Sequence, residues 1–347
     1  MATQPTPPIM AAPSDGRSSH ARSVRDVIDT LFERDLRPDR TPTSPVATGF
    51  DLLDRVLDGG LRHHDLMLLG GSPGVGKTIA ALQMARNMAQ GSRTAIYVSY
   101  EHDDPTMLGR LLVLELGDMA TPANAPEIDR LRRVVIEATS GFRALDSVIG
   151  SEPLAAEAYR RVEGYADRLL LVRGSGARTD LAAIEALVTG ANSDTDIVVF
   201  VDYLQKVAVH PEPEHEAEKV TRVAEGLKEL ALSHEVAVVA VVAADWNGLR
   251  AGRVRLHHLR GSSALAYECD VALILNEKHN AVARSHLAYD TVRAESFKQL
   301  VVFSVEKNRG GPAMVDLEFR KDFLHYRFEP RGSYMAERAA DDRIEAS

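Results

Sequence analysis

The run Gly71-Ser72-Pro73-Gly74-Val75-Gly76-Lys77-Thr78 constrains this chain more than any other feature of its 347 residues. It satisfies the pattern GxxxxGK[ST], with the apolar, strand-like Leu66–Leu69 before it and a helical pattern after it. Glycines at the first, fourth and sixth positions let successive backbone amides turn inward around phosphate oxygens. The start of the following helix adds the favourable end of its dipole. Lys77 is the expected contact to the β- and γ-phosphates of a nucleotide, and the Thr78 hydroxyl the expected ligand of Mg²⁺. ATP and Mg²⁺ are therefore the expected cofactors, and a strand, phosphate loop and helix in succession imply an α/β fold.

The rest of the chain agrees with that expectation. Apolar runs of strand length occur near Thr94–Tyr100, Arg168–Val172, Asp196–Asp202, Val236–Ala243, Val271–Leu275 and Val301–Glu306, with helical patterns after most of them. This alternation predicts a mostly parallel twisted sheet with helices on both faces. Residues 103–167 read as wholly helical, an elaboration of one connection. The segments Val315–Phe319 and Phe323–Phe328 read as a C-terminal antiparallel hairpin, and residues 330–347 as a polar, loose tail. At the other end, residues 1–21 are rich in Pro, Ser, Ala and Thr and are expected to be disordered. Within residues 22–47, Val24, Val27, Ile28, Leu31 and Phe32 recur at helical spacing ahead of the linker Pro38–Pro45. That amphipathic helix is expected to dock on an adjacent subunit.

Composition narrows the function classes. A chain that is 45% hydrophobic and 26% charged has the composition of a soluble globular protein, and residues 48–329 make one large α/β domain. The single cysteine, Cys269, excludes an internal disulfide and a multi-cysteine zinc module. No apolar run approaches the ~20 residues of a membrane helix, and the N-terminus has no signal-peptide pattern, so a cytoplasmic location is expected. A formal charge of −9 argues against a protein that coats nucleic acid over its whole surface, while allowing a local basic channel.

Two carboxylates end strands that point toward the phosphate loop. Asp202 closes the apolar run Ile197–Val201, where it can hold Mg²⁺ through water. Glu101 closes Thr94–Tyr100, where it can orient and deprotonate an attacking water.

Several blocks then resemble one family in the right order. Thr48-Gly49-Phe50-Asp51 with Leu53-Asp54, Tyr97-Val98-Ser99-Tyr100-Glu101, Val201-Asp202-Tyr203-Leu204-Gln205, Leu259-Arg260-Gly261-Ser262 and Cys269-Asp270-Val271 resemble segments of the C-terminal ATPase domain of DnaB-type replicative helicases. These belong to the RecA-like P-loop NTPases, and the likeness runs from Thr48 to Arg320. It implies a homo-oligomer, a hexamer in that family, acting on single-stranded DNA with the help of a protein loader. It also implies that Lys307 and Arg309, in Glu306-Lys307-Asn308-Arg309-Gly310-Gly311-Pro312, reach the γ-phosphate held by a neighbouring subunit.

Departures accompany the likeness. Where the family places a Ser-Gln pair whose Gln senses the γ-phosphate, this chain has Ala244-Asp245, so the sensor position Asp245 carries an acceptor-only carboxylate. The family's helical N-terminal collar has no counterpart in residues 1–47. Of the two loops that hold DNA in the family, the first, Val209–Glu218, carries four glutamates that repel phosphate. The second offers Arg250, Arg253 and Arg255 with Trp246 as a stacking group. Two alternatives stay open. Lys307-Asn308-Arg309 also resembles the RadA-like recombination ATPases, whose four-cysteine motif is absent here, and a KaiC-like regulatory ATPase would use nucleotide without DNA.

Overall fold

In the computed structural model, residues 23–35, 44–191, 195–261, 263–283, 291–337 and 339 are described. The tail expected over residues 1–21 lies outside them. The chain divides into two units, Met1–Pro42 and Thr43–Ser347. The first contains helix α1, Val24–Asp35. Its start is fixed by a reciprocal pair in which Ser23 N donates to Asp26 Oδ2 at 2.9 Å and Asp26 N to Ser23 Oγ at 3.1 Å. Val24 and Phe32 are exposed within it.

The second unit is built on a ten-stranded sheet. In chain order its strands are β1 (Leu66–Gly71), β2 (Thr94–Ser99), β3 (Leu169–Arg173), β4 (Ile197–Asp202), β5 (Ala237–Ala243), β6 (Val271–Glu277), β7 (Leu300–Asn308), β8 (Val315–Asp322), β9 (Arg327–Phe328) and β10 (Ser333–Tyr334). They lie in the order β10-β8-β7-β6-β1-β5-β4-β2-β3, with β9 paired to β8. The six strands from β6 to β3 are mutually parallel. From β7 onward the pairings turn antiparallel.

Why β1 sits in the middle is visible in its side chains. All six of its residues are buried, as a parallel strand covered on both faces requires. The pleat sends Met67 and Leu69 into one core layer and Leu66 and Leu68 into the other. Helix α2 (Asp51–Val56) precedes β1, α3 (Lys77–Gln90) follows the phosphate loop, and α4 (Asp104–Asp118) follows β2. The first core layer packs α3 and α4 together with α5 (Ala125–Thr139), α6 (Leu145–Ser151) and α7 (Pro153–Glu163), which form the helical elaboration. The second packs α8 (Leu181–Gly190) and α9 (Glu216–Ser233). Truncating a central residue such as Leu68 to Ala removes contacts on every side and costs about 2–5 kcal/mol.

The Thr48–Asp54 block turns out to be a structural brace. Thr48 N and Oγ1 both donate to Asp54 Oδ1 at 2.7 Å, Gly49 N donates to Asp54 Oδ2 at 3.0 Å, and Asn87 on α3 donates to Thr48 O at 2.9 Å. Gly49 has φ +81° and lies where a Cβ would strike the Asn87 side chain, so only glycine fits.

Register decides which residues share an end of the sheet. Gly71 aligns with Ala243 on β5 and Leu275 on β6, and Ser99 with Asp202, so the phosphate loop and both strand-end carboxylates gather at one end. Strand β7 runs the other way and pairs Asn308 with Val271. Lys307 and Arg309 therefore sit at the opposite end, roughly 13 Å down the sheet for the four residue steps from Val271 to Leu275. Strand β7 also extends past Glu306, so Lys307 lies inside the sheet and pairs with Ala272.

The C-terminal segment departs from expectation. Residues after Pro330 read as a loose tail, but β10 pairs with β8 and Glu337 is buried against the buried ammonium of Lys278, at 2.7 Å. Lys278 also pairs with Glu318 on β8 and lies over the Phe297 ring. A buried lysine needs such partners, and the tail supplies one of them; polarity in the sequence here marks an ion pair.

Candidate active site

The phosphate loop owes its shape to glycines that nothing else could replace. Gly71 has φ +147°, and a Cβ there would lie 2.5 Å from Leu275 O. Gly76 has φ +97° and starts α3, and a Cβ there would come within 2.7 Å of the Phe323 and Phe328 rings. Those rings belong to the C-terminal hairpin, so the hairpin packs directly on the loop. Gln83 on α3 fixes it further, exchanging two hydrogen bonds with the backbone of Phe328 at 2.9 and 2.8 Å.

Within this loop Lys77 Nζ donates to Gly71 O and Ser72 O, both at 2.9 Å. Burial pushes its ammonium down to about 8, opposed by the nearby carboxylates of Asp202 and Glu101. Asp202 is buried, and its carboxylate accepts from Tyr97 Oη at 2.8 Å and from the Thr78 hydroxyl. Burial raises its pKa, with the two hydroxyls and Lys77 acting against that rise. A buried carboxylate beside a hydroxyl, at the phosphate end of a loop, has the hard oxygen donors that Mg²⁺ takes. Thr78 and Asp202 therefore fit the ion.

Glu101 stands exposed at the end of β2 and lines the same cavity of about 410 Å³ as Lys77, Thr78 and Asp202. Among the lining residues that sequence reasoning missed are His102, Arg110 and Tyr326. Arg110 projects from α4 with its guanidinium 5.1 Å from the centre of the Tyr326 ring. Tyr326 holds the left-handed conformation, φ +50°, at the turn between β8 and β9. Neither residue carries a local motif; the only hint is an arginine within the apolar stretch Leu108–Leu116. A second, polar chamber of about 290 Å³ lies beside Glu101 and His102 and is lined also by Ser99, Asp103, Thr106 and Arg173.

The distal basic block is built differently from the cavity. Lys307 Nζ donates to Ala266 O at 2.7 Å and Cys269 O at 2.5 Å, carbonyls at the end of the short helix Ala264–Glu268. Arg309 donates to Asp270 Oδ1 at 2.9 Å and to Tyr267 O at 2.6 Å while its side chain stays 52% exposed. Arg309 is thus the member of the pair that projects, and Lys307 holds the strand end in place.

The second candidate DNA loop needs correction. Arg253 is 4% exposed and its guanidinium is committed to Asp316 on β8 and to Ser304 Oγ at 3.0 Å, so it does not face a ligand. Arg255 pairs with Glu306. Val254 between them exchanges backbone hydrogen bonds with the Asn276 side chain at 2.7 and 3.0 Å, which pins the segment to β6. Arg250 remains exposed, on the short helix Trp246–Arg250 with Trp246 71% exposed. Asp245 caps that helix, accepting from Gly248 N at 2.7 Å, and is absent from the cavity lining. Its Oδ1 thus serves as a helix cap, and its carboxylate offers no donor to a phosphate. Glu216 and Glu218 of the acidic first loop occupy the first turn of α9, where the helix dipole favours them.

Among the described residues no helix is long and apolar enough to cross a membrane.

Comparison with known proteins places this architecture. The Replicative DNA helicase DnaB of Treponema pallidum (strain Nichols) is 27% identical over 306 residues, which cover 87% of this chain and 60% of that protein. The chain thus spans less than two thirds of that relative. The DNA repair protein RadA of Mycobacterium tuberculosis is 51% identical over 59 residues, 17% of this chain and 12% of that protein. Among solved structures, an isolated ATPase domain superposes with a TM-score of 0.67 at 20% identity, covering 89% of this chain and 99% of that one. A DnaB-like replicative helicase described with its interactions with primase gives 0.66 at 18% identity, covering 88% and 68%. Both carry the same fold. The model of the DnaB-like helicase C terminal domain matches residues 45–149 and 168–328, most of the sheet and every strand-end residue of the cavity, and the chain belongs to that family.

Proposed function

We propose that this chain is an ATP-hydrolysing, oligomeric DnaB-like helicase or translocase that acts on single-stranded DNA, with γ-phosphate contacts supplied by the neighbouring subunit. One observation carries the reading: Lys77, Thr78, Asp202 and Glu101 share a cavity at one end of the sheet, while the exposed Arg309 stands at the other end. Arg309 cannot reach its own cavity, so a role at a γ-phosphate requires a second copy.

In this mechanism the loop amides and Lys77 hold the β- and γ-phosphates, and Lys77 leaves Gly71 O and Ser72 O to do so. Thr78 and Asp202 would hold Mg²⁺, which would supply positive charge to offset that of the nucleotide phosphates. Glu101 accepts a proton from water as the water oxygen bonds to the γ-phosphorus and the bond to the β-phosphate oxygen breaks. Arg309 of the next subunit offsets the charge that develops on the departing group, an effect worth ~10³ or more in rate. Lys307 anchors that finger and joins the phosphate only if it leaves its carbonyls. A hexameric ring, docking of α1 on a neighbour and recruitment of a protein loader belong to the same reading.

DNA contact rests on Trp246 and Arg250. Trp246 is the chain's single tryptophan, so its fluorescence reports binding directly. Stimulation of hydrolysis by single-stranded DNA, falling steeply as salt rises, is expected of a translocase. The ion pairing of Arg253 and Arg255 favours a second reading, a regulatory ATPase that never holds DNA. Hydrolysis unchanged by DNA at low salt, with Trp246 emission also unchanged, would select it.

A further inference from the structure

We propose that His102 contacts the γ-phosphate and distinguishes ATP from ADP, a task for which position 245 offers no donor and no place in the cavity lining. This inference rests on the nucleotide-site reading above and names a residue within that site.

The position expected to sense the γ-phosphate has no donor to offer. Strand β5 contributes only Val241 and Ala243 to the cavity lining, and Asp245 spends its carboxylate on Gly248 N at 2.7 Å. His102 follows Glu101 directly and lines the cavity together with Lys77, Thr78 and Asp202, the groups that mark its γ-phosphate end. Its backbone is fixed in advance, since His102 N donates to Ser99 Oγ at 3.0 Å. Its half-buried ring makes no hydrogen bond to any described residue, and His102 lines both the nucleotide cavity and the polar chamber. An imidazole N–H held there, otherwise unpartnered, is a donor awaiting an acceptor.

Charge in the surroundings suits that task. Burial, and then the Arg110 guanidinium, lower the imidazole pKa against the raising effect of Glu101 and Asp103. That direction favours the uncharged ring, which keeps one N–H to donate and adds no positive charge beside Lys77.

The test is equilibrium binding of Mg²⁺ADP and of a Mg²⁺-bound ATP analogue with a β,γ-imido bridge to the full chain and to three variants. His102→Ala should weaken the analogue by about tenfold or more, the scale of a lost hydrogen bond to a charged group. ADP affinity should stay within about twofold, and His102→Gln, whose amide still donates, should restore most of the loss. Equal weakening of both nucleotides, or none, overturns the inference, because a merely structural role would not change their ratio. Lys77→Ala separates the two levels of argument. If it binds both nucleotides as tightly as the unaltered chain, the nucleotide-site reading fails and takes the inference with it.

Discussion

Arg309 is ion-paired with Asp270 at 2.9 Å, and the same Asp270 carboxylate accepts from Leu66 N at 2.8 Å and from Lys228 Nζ at 2.7 Å. Arg309 is thereby tethered to the start of β1, whose other end opens into the phosphate loop. Six residues of one strand separate the group that would complete a neighbour's site from the loop of its own.

A site shared between copies predicts complementation. Lys77→Ala and Arg309→Ala should each reduce ATPase activity by ~10² or more. Mixed and allowed to exchange subunits, they should recover part of the activity, because an Arg309→Ala loop can meet a Lys77→Ala finger. Steady-state hydrolysis of the mixture measures this, and activity no higher than that of either variant alone would refute sharing.

The lowered pKa of Lys77 predicts a pH dependence of nucleotide affinity. Its ammonium loses the proton as pH rises through about 8, whereas an ordinary lysine stays charged to about 10. Affinity for Mg²⁺ADP should therefore fall between pH 7 and pH 9, by up to about tenfold per unit above the pKa. Lys77→Arg, charged throughout, should flatten the profile; isothermal titration calorimetry across that range reads both.

Arg253 and Arg250, three residues apart, should behave oppositely. Arg253→Ala leaves Asp316 without its buried partner and should destabilise the fold by about 3–5 kcal/mol, seen as a large drop in Tm. Arg250→Ala touches no described ion pair and should leave Tm unchanged while weakening single-stranded DNA binding and its salt dependence. If Arg253→Ala melts normally, the burial assigned to it is wrong.

The C-terminal segment should also contribute to stability. Removing residues 331–347 strips Glu337 from Lys278 and β10 from β8. An expected loss of a few kcal/mol in urea denaturation follows from leaving a buried ammonium half-paired. A truncated chain as stable as the full one would show that the segment only decorates the surface.

Much of this was legible in the sequence, and the reason is locality. A phosphate loop is made by eight consecutive residues, a strand-end carboxylate by the apolar run before it, and a central parallel strand by six buried residues in a row. Each can be read without knowing what lies across the fold. The α/β class, the strands from β1 to β8, the helical elaboration and the family likeness all followed from such runs.

Tertiary structure alone decided what depends on residues far apart in the chain. Arg253 read like its neighbours until Asp316 and Ser304, more than fifty residues on, turned out to bury it. Arg110 met Tyr326 across the whole domain, and a polar tail proved to hold the partner of a buried lysine. The reversed direction of β7 set Arg309 at the far end of the sheet, because antiparallel pairing carries a strand's last residues to the edge where its partner begins. The phosphate loop was written in the sequence; which ends of the sheet its chemistry joins was decided by the pairing of strands.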